Sequence, residues 1–370
     1  MSTLPRPLAL LALPCMLLAC GEDDYGPSIF DLGPYDLGAD GGVSDGDSST
    51  DASDTESEAT DSGVADAGSV DAGSVDVGSV DAGSADSGVS STNPLSGMGT
   101  VELVASAYGS TSFAFLEGPS WQNGQLVFSD LEASPAAIYA WDATNGVSLV
   151  VSDAAGVNGN AVDASGTHIA CAMFGRAIAT VQSGSLVTLF DTYQGSKLNA
   201  PNDIVVSSSG AFYFTDPGFG ISSSDYELDF HGVFRYDGST LTPVWTGSLS
   251  QRPNGVGLSP DDTVLYLTDT QDSVVRAFDV ASDGTLSGER TFASVERPDG
   301  MTVDSAGNVY VSTSSGIAVY APDGTNWGTI SVSQTPSNAT FGGSDGKTLF
   351  ITARGGLYAV SMPIAGISGR

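Results

Sequence analysis

Basic residues are scarce in this chain. Its 370 residues hold 11 Lys and Arg against 44 Asp and Glu, a formal net charge of −33. A chain this acidic repels nucleic acid phosphates, so DNA or RNA binding is excluded as its role. Cysteine is scarce too: Cys15, Cys20 and Cys171 are the only three, too few for a disulfide scaffold of this size. With only two lysines, Lys197 and Lys347, and 47 glycines, the composition argues against a helical bundle and for many short strands joined by turns. Histidine is limited to His168 and His231, too isolated for a Ser-His-Asp arrangement. The apolar run Leu8 to Leu18 is interrupted by Pro14 and is too short to span a bilayer as a mature helix.

That run has a different reading. Arg6 supplies a weak positive flank, and Leu17-Leu18-Ala19-Cys20-Gly21 resembles the bacterial lipoprotein cleavage box. The resemblance implies a signal peptide over 1–19 and lipid on Cys20. It also implies an exported protein anchored in the bacterial cell envelope, on the periplasmic face or the cell surface, touching membrane only through its lipid. The next segment, 20–95, is expected to be a disordered acidic linker. It carries 18 acidic residues and no Lys or Arg, with Asp61, Asp66, Asp71, Asp76, Asp81 and Asp86 recurring every five residues. A period of five matches neither a strand nor a helix face, and side chains this small bury too little to offset chain entropy.

From residue 96 to 370 the aromatic and β-branched residues return, with 26 acidic and 10 basic side chains. One unit recurs: a polar turn, a strand, a second apolar strand ending near Asp or Thr, and a third strand ending in a turn. The second strands are expected at Leu126–Asp130, His168–Ala172, Phe212–Asp216, Leu265–Asp269, Val309–Thr313 and Leu349–Ala353. A period of roughly 40–50 residues with strand-only content predicts an all-β fold, a six-bladed β-propeller with a fourth, outer strand in each blade.

The turn opening each unit aligns Glu117, Asn158, Asn202, Asn254, Asp299 and Asn338. All six offer a side-chain oxygen and none is basic. Equivalent positions at the start of innermost strands converge on the central channel. Local backbone bonding accounts for Asn and Asp in turns, but not for Glu117, nor for two carboxylates facing one channel. At ~6 Å and an effective dielectric of ~20 such a pair repels by roughly 3 kcal/mol without a cation. A hard divalent ion relieves that conflict, and Ca2+ tolerates irregular shells of carboxylate and amide oxygen best. Neither histidine sits on the ring, which argues against a His-built zinc site; Zn2+ or Mn2+ held by the same oxygens stays open.

Several motifs stand in order at this spacing: Leu116-Glu117-Gly118-Pro119-Ser120-Trp121, Leu198-Asn199-Ala200-Pro201-Asn202-Asp203, Phe214-Thr215-Asp216-Pro217-Gly218-Phe219-Gly220, Arg252-Pro253-Asn254-Gly255 and Pro298-Asp299-Gly300-Met301. They resemble the signatures of the regucalcin/gluconolactonase/luciferin-regenerating-enzyme family. Phe341-Gly342-Gly343 and Thr348-Leu349-Phe350-Ile351-Thr352-Ala353 resemble its bacterial gluconolactonase branch. The resemblance spans about 100–362. It implies a six-bladed propeller with one catalytic divalent cation, its ligand positions falling on Glu117, Asn202, Asn254 and Asp299. The chain departs from the pattern at Ala200, where animal relatives place a substrate-orienting Arg. It departs again at Ala172-Met173-Phe174-Gly175-Arg176, where bacterial relatives carry an acidic-His-Gly stretch before the Arg, and at Lys197, which stands for an Arg.

The resulting expectation is a lactonase, a Ca2+-dependent hydrolase of sugar or related lactones. Asp299 serves as general base or nucleophile. Asn199, Asp216, Arg176, Asn158 and Asn338 are the candidate substrate contacts. Cys171, mid-strand, is read as buried apolar filler. The partner is a small-molecule lactone and the protein is expected to be monomeric. The other reading is a non-catalytic tethered propeller that binds a ligand or an envelope protein around a structural metal.

Overall fold

The computed structural model describes residues 92–368. The expected signal peptide, the lipidation at Cys20 and the linker up to residue 91 lie outside the described residues. Among those described, strands carry the regular structure, with a single 3-10 turn at Ser223–Asp225. Six four-stranded antiparallel sheets succeed one another as blades. Their innermost strands are Leu116–Gln122, Val157–Val162, Ile204–Val206, Pro253–Leu258, Met301–Val303 and Pro336–Gly342.

The second strands are the most legible because both faces are buried. His168–Ala172, Phe212–Asp216 and Val309–Thr313 stand where expected. Gln125–Asp130, Val264–Asp269 and Thr348–Ala353 each begin one residue earlier. Fully buried strands read as near-continuous apolar runs, which is why composition alone locates them. Outer strands carry a weaker signal: Ser185–Phe190 is mostly exposed.

Each apolar cluster sits between two neighbouring blades rather than inside one. The first and second blades meet over Val127, Ile138, Val157 and Ala170. The sixth meets the first over Phe350, Leu357, Leu116 and Phe128. Cys171 is fully buried in the cluster between the second and third blades, a free thiol used as filler. The ring closes by a strand from its own beginning. Glu102–Ala105 pairs antiparallel with Gly356–Ser361 and completes the sixth blade. Ser337 Oγ donates to the Leu116 carbonyl at 2.6 Å and ties the sixth blade to the first at the channel.

Candidate active site

The six aligned residues stand together at one end of the channel, at or just before the start of each innermost strand. Glycine at the next position lets the strands approach so closely: Gly118, Gly159, Gly255 and Gly300 hold that position in four blades. A Cβ on Gly118 would strike the Asn158 carbonyl oxygen, one on Gly159 would meet Asn202 O at 2.7 Å, and one on Gly255 would meet Asp299 O at 2.7 Å. On Gly300 it would collide with the Asn338 side chain. The Gly159 N–H donates to Asn202 O at 2.8 Å. Hydroxyls of the second strands fasten the ring from behind: Ser129, Thr215 and Thr268 donate to the carbonyls of Asn158, Asn254 and Asp299 at 3.0, 2.7 and 2.7 Å.

The last residue of three second strands holds the strap that enters its own blade. Asp130 accepts the N–H groups of Ala114 and Phe115, and Asp269 accepts that of Arg252. Asp216 accepts those of Asn199 at 2.8 Å and Ala200 at 2.7 Å, one on each oxygen. Asp216 is thus committed to backbone and positions the segment carrying Asn199 and Asn202. Burial pushes its carboxyl up to about 7, against the pull of the Arg176 charge.

Electrostatically the ring is strained. Glu117 is 3% exposed. Burial, and after it the charges of Asp299 and Asp203, hold its carboxyl well above the usual carboxylate range. Burial raises the Asp299 carboxyl to about 7, although the residue as a whole keeps some exposed surface. Behind them lies a third carboxylate that the ring alignment does not contain. Asp203 accepts from Val256 N–H at 3.2 Å and from Asn338 Nδ2 at 3.4 Å, and burial raises it to about 7. Its signal in the sequence is the break in the glycine rule: Asp comes after Asn202 where four other blades have Gly. Below this layer the inner strands line a partly open pocket of about 80 Å3, with Ser120, Asn160, Asp203, Thr340 and, from the C-terminal segment, Ile367 on its walls.

The ring amides are not equivalent. Asn254 Nδ2 donates to Asp299 Oδ1 at 2.7 Å and to Thr270 Oγ1 at 3.0 Å, which leaves its own oxygen unengaged. Asn202 uses only its backbone, donating to Thr215 O at 2.8 Å. Asn338 is consumed by protein: it donates to Asp203, hydrogen-bonds Glu117 and accepts from Ala339 N–H at 2.8 Å. Asn158 Nδ2 faces the Met173 sulfur at 3.9 Å. The carboxylates of Glu117 and Asp299, with Asp203 behind them, therefore share the channel with the unengaged amide oxygens of Asn158, Asn202 and Asn254. Among the described residues no group of three or more His, Cys, Asp or Glu is arranged to hold an ion, so a cation bound here would draw on amide oxygens as well as on Glu117 and Asp299. This all-oxygen, doubly anionic set fits a hard divalent cation.

The rim adds cations and an aromatic ring. Arg354 stacks its guanidinium 5.5 Å from the Phe115 ring centre and its charge is felt by Asp299. Arg176 donates through Nε to the carbonyls of Leu198 at 2.8 Å and Asn199 at 3.1 Å. Phe174, in the same turn, is 43% exposed and lies against Gly156 and Gly220, where a Cβ would collide with it. The histidines are off the ring. His168 Nε2 pairs with Asn160 Oδ1 at 2.8 Å and His231 Nδ1 with Gln251 O at 2.7 Å; burial lowers both to about 4, keeping them neutral.

Known proteins share this architecture. Residues 115–355 match the family model described as the SMP-30/gluconolactonase/LRE-like region. A gluconolactonase of Zymomonas mobilis is 33% identical over 288 residues, covering 68% of this chain and 78% of that one. A pentonolactonase of Haloferax volcanii is 28% identical over 261 residues, covering 66% and 84%. The solved structure of a gluconolactonase from Xanthomonas campestris superimposes with a TM-score of 0.65 at 35% identity, covering 71% of this chain and 89% of that one.

Proposed function

The chain belongs to the SMP-30/gluconolactonase/LRE-like family, and from that premise we propose that it is a divalent-cation-dependent hydrolase that opens sugar or related lactones. The observation that carries the reading is the pairing of Glu117 with Asp299 in one channel beside the unengaged oxygens of Asn202 and Asn254. Those four residues would hold the cation, Ca2+ being the best match to an all-oxygen set. When bound, it supplies Lewis-acid polarisation of the lactone carbonyl and charge to balance the carboxylates.

The residues divide the remaining work. Asp299 is the less buried of the two carboxylates, partly exposed where Glu117 is 3% exposed. Asp299 is therefore the group that reaches water, and it takes a proton as water oxygen bonds to the carbonyl carbon. The acyl bond to the ring oxygen then breaks, that oxygen receives the proton, and a hydroxy acid leaves. Asn254 donates to Asp299 and fixes its orientation. Asn338 and Asp216 position, the first holding Glu117 and Asp203, the second holding the strap into Asn202.

A panel of aldono- and alkyl lactones, assayed with Ca2+, Mn2+, Zn2+ or chelator, tests this directly. Chelation is expected to abolish turnover and Asp299→Asn to lower kcat at least ~100-fold with the fold intact by circular dichroism. Activity indifferent to both would sink the mechanism. A protein that binds Ca2+ and turns over no lactone would instead be a ligand-binding propeller. The proposal extends to location: lipid on Cys20 anchors the domain to the cell envelope through the acidic segment. Labelling with a radioactive fatty acid should mark the wild type and spare Cys20→Ser; equal labelling overturns the anchor.

A further inference from the structure

Buried charges in folded proteins are paired or hold an ion. Asp203 is 7% exposed, and no ion pair among the described residues includes it. Its oxygens accept only from neutral groups: the N–H groups of Val256, at 3.2 Å, and Ile204, and Asn338 Nδ2 at 3.4 Å. Two of these contacts are long, so the carboxylate keeps accepting capacity. It borders the pocket of about 80 Å3 behind the ring. The walls of that pocket differ. Thr340, Ser120, Asn160 and Asp203 come from four successive blades, the sixth, first, second and third; Val256 and Met301 come from the other two. Asn160 is already spent, donating to Gly118 O at 2.9 Å and Ser129 Oγ at 2.8 Å while its Oδ1 meets His168 Nε2 at 2.8 Å. Ser120 and Thr340 are each 7% exposed, and among the described residues neither hydroxyl has a partner. Two buried hydroxyls and a carboxylate therefore line one space with lone pairs to offer.

Charge selects the occupant. Water satisfies the hydroxyls but leaves the carboxylate unbalanced. A divalent ion beside a single carboxylate leaves a buried positive surplus. A monovalent cation neutralises the site, and the volume leaves room for waters to complete its shell where the wall is apolar. We propose that the pocket behind the ring binds a monovalent cation, Na+ or K+, through Asp203, Ser120 Oγ and Thr340 Oγ1. The ion fixes Asp203 and, through it, Asn338, which also hydrogen-bonds Glu117. This site is separate from the divalent one on the ring, and its test requires no lactone turnover.

The test keeps Ca2+ saturating, so that the ring is closed to the probe. It compares the melting temperature of the full chain in NaCl, KCl and N-methylglucamine chloride at equal ionic strength. An ion that binds only the native state raises that temperature. Na+ or K+ should exceed N-methylglucamine by at least ~2 °C. Ser120→Ala and Thr340→Val should each shrink the difference. Each variant is compared with itself across salts, so a lower overall stability does not obscure the reading. Crystals soaked in Rb+ should show anomalous density in the pocket against Asp203. A melting temperature blind to the cation, a difference that both variants retain, or a pocket without Rb+ overturns the site. A second equivalent of Ca2+ by calorimetry, lost in Ser120→Ala, overturns the monovalent assignment. Failure to turn over any lactone would sink the lactonase reading and leave this outcome untouched.

Discussion

At the scale of single residues, the decisive fact is that Glu117, Asp203 and Asp299 share one channel. Burial raises Glu117 well above its ordinary range and Asp203 and Asp299 to about 7. Below that value the metal-free protein holds protons that an incoming cation must displace. Ca2+ affinity is therefore expected to fall as pH drops from 8 to 5, with protons released on binding. Calorimetry in buffers of different ionisation heat reads that release, and a heat independent of buffer would refute it. The same shifts set a stability trend. A carboxyl raised on folding stabilises the protein below its unfolded value and loses that contribution as pH rises through about 7. The metal-free melting temperature should decline from pH 6.5 to 8, and Ca2+ should restore it most at pH 8. His168 and His231, lowered to about 4, act in the opposite sense, but only between pH 4 and 6.5.

At the scale of the element, the repeated pair of a ring residue and then glycine lets the strands converge. Gly118 has φ +49°, and a Cβ there meets the backbone of Asn158, which cannot yield. Gly118→Ala is expected to cost more than ~3 kcal/mol by overpacking and backbone strain. Gly124 is the control. Its φ is +80° but a Cβ finds nothing within 4 Å, so Gly124→Ala should cost only about 1–2 kcal/mol. Denaturant unfolding of both variants checks the contrast; equal costs would show that the close approach at the ring is unimportant.

For the whole molecule, closure is the weak point. The sixth blade borrows Glu102–Ala105 from the start of the domain to cover the edge of Gly356–Ser361. Removing residues up to 106 exposes that edge and unzips the contact between chain ends. The truncated protein is expected to melt at least ~10 °C lower or to aggregate. Deleting only 21–90 should leave the melting temperature of the propeller unchanged. A domain equally stable after both deletions would mean that the outer strand contributes nothing to closure.

Spacing of apolar strands and of one polar residue per unit is local information, carried by burial on both faces of each second strand and by turn chemistry. The sequence alone therefore determined the number of blades, the second strands to within a residue, and the six ring positions from Glu117 to Asn338. It could not say which of those side chains remain free, because their partners lie in other blades, far along the chain. Only the tertiary structure shows Asn338 spent on Asp203 and Glu117, and Asn254 turned toward Asp299. Only there do the amides of Asn199 and Ala200 take up both Asp216 oxygens. The unpartnered hydroxyls of Ser120 and Thr340 in the pocket that Asp203 borders belong to the same class of fact. A hydrogen bond depends on which groups the fold brings within about 3 Å, and a strand pattern carries no record of that.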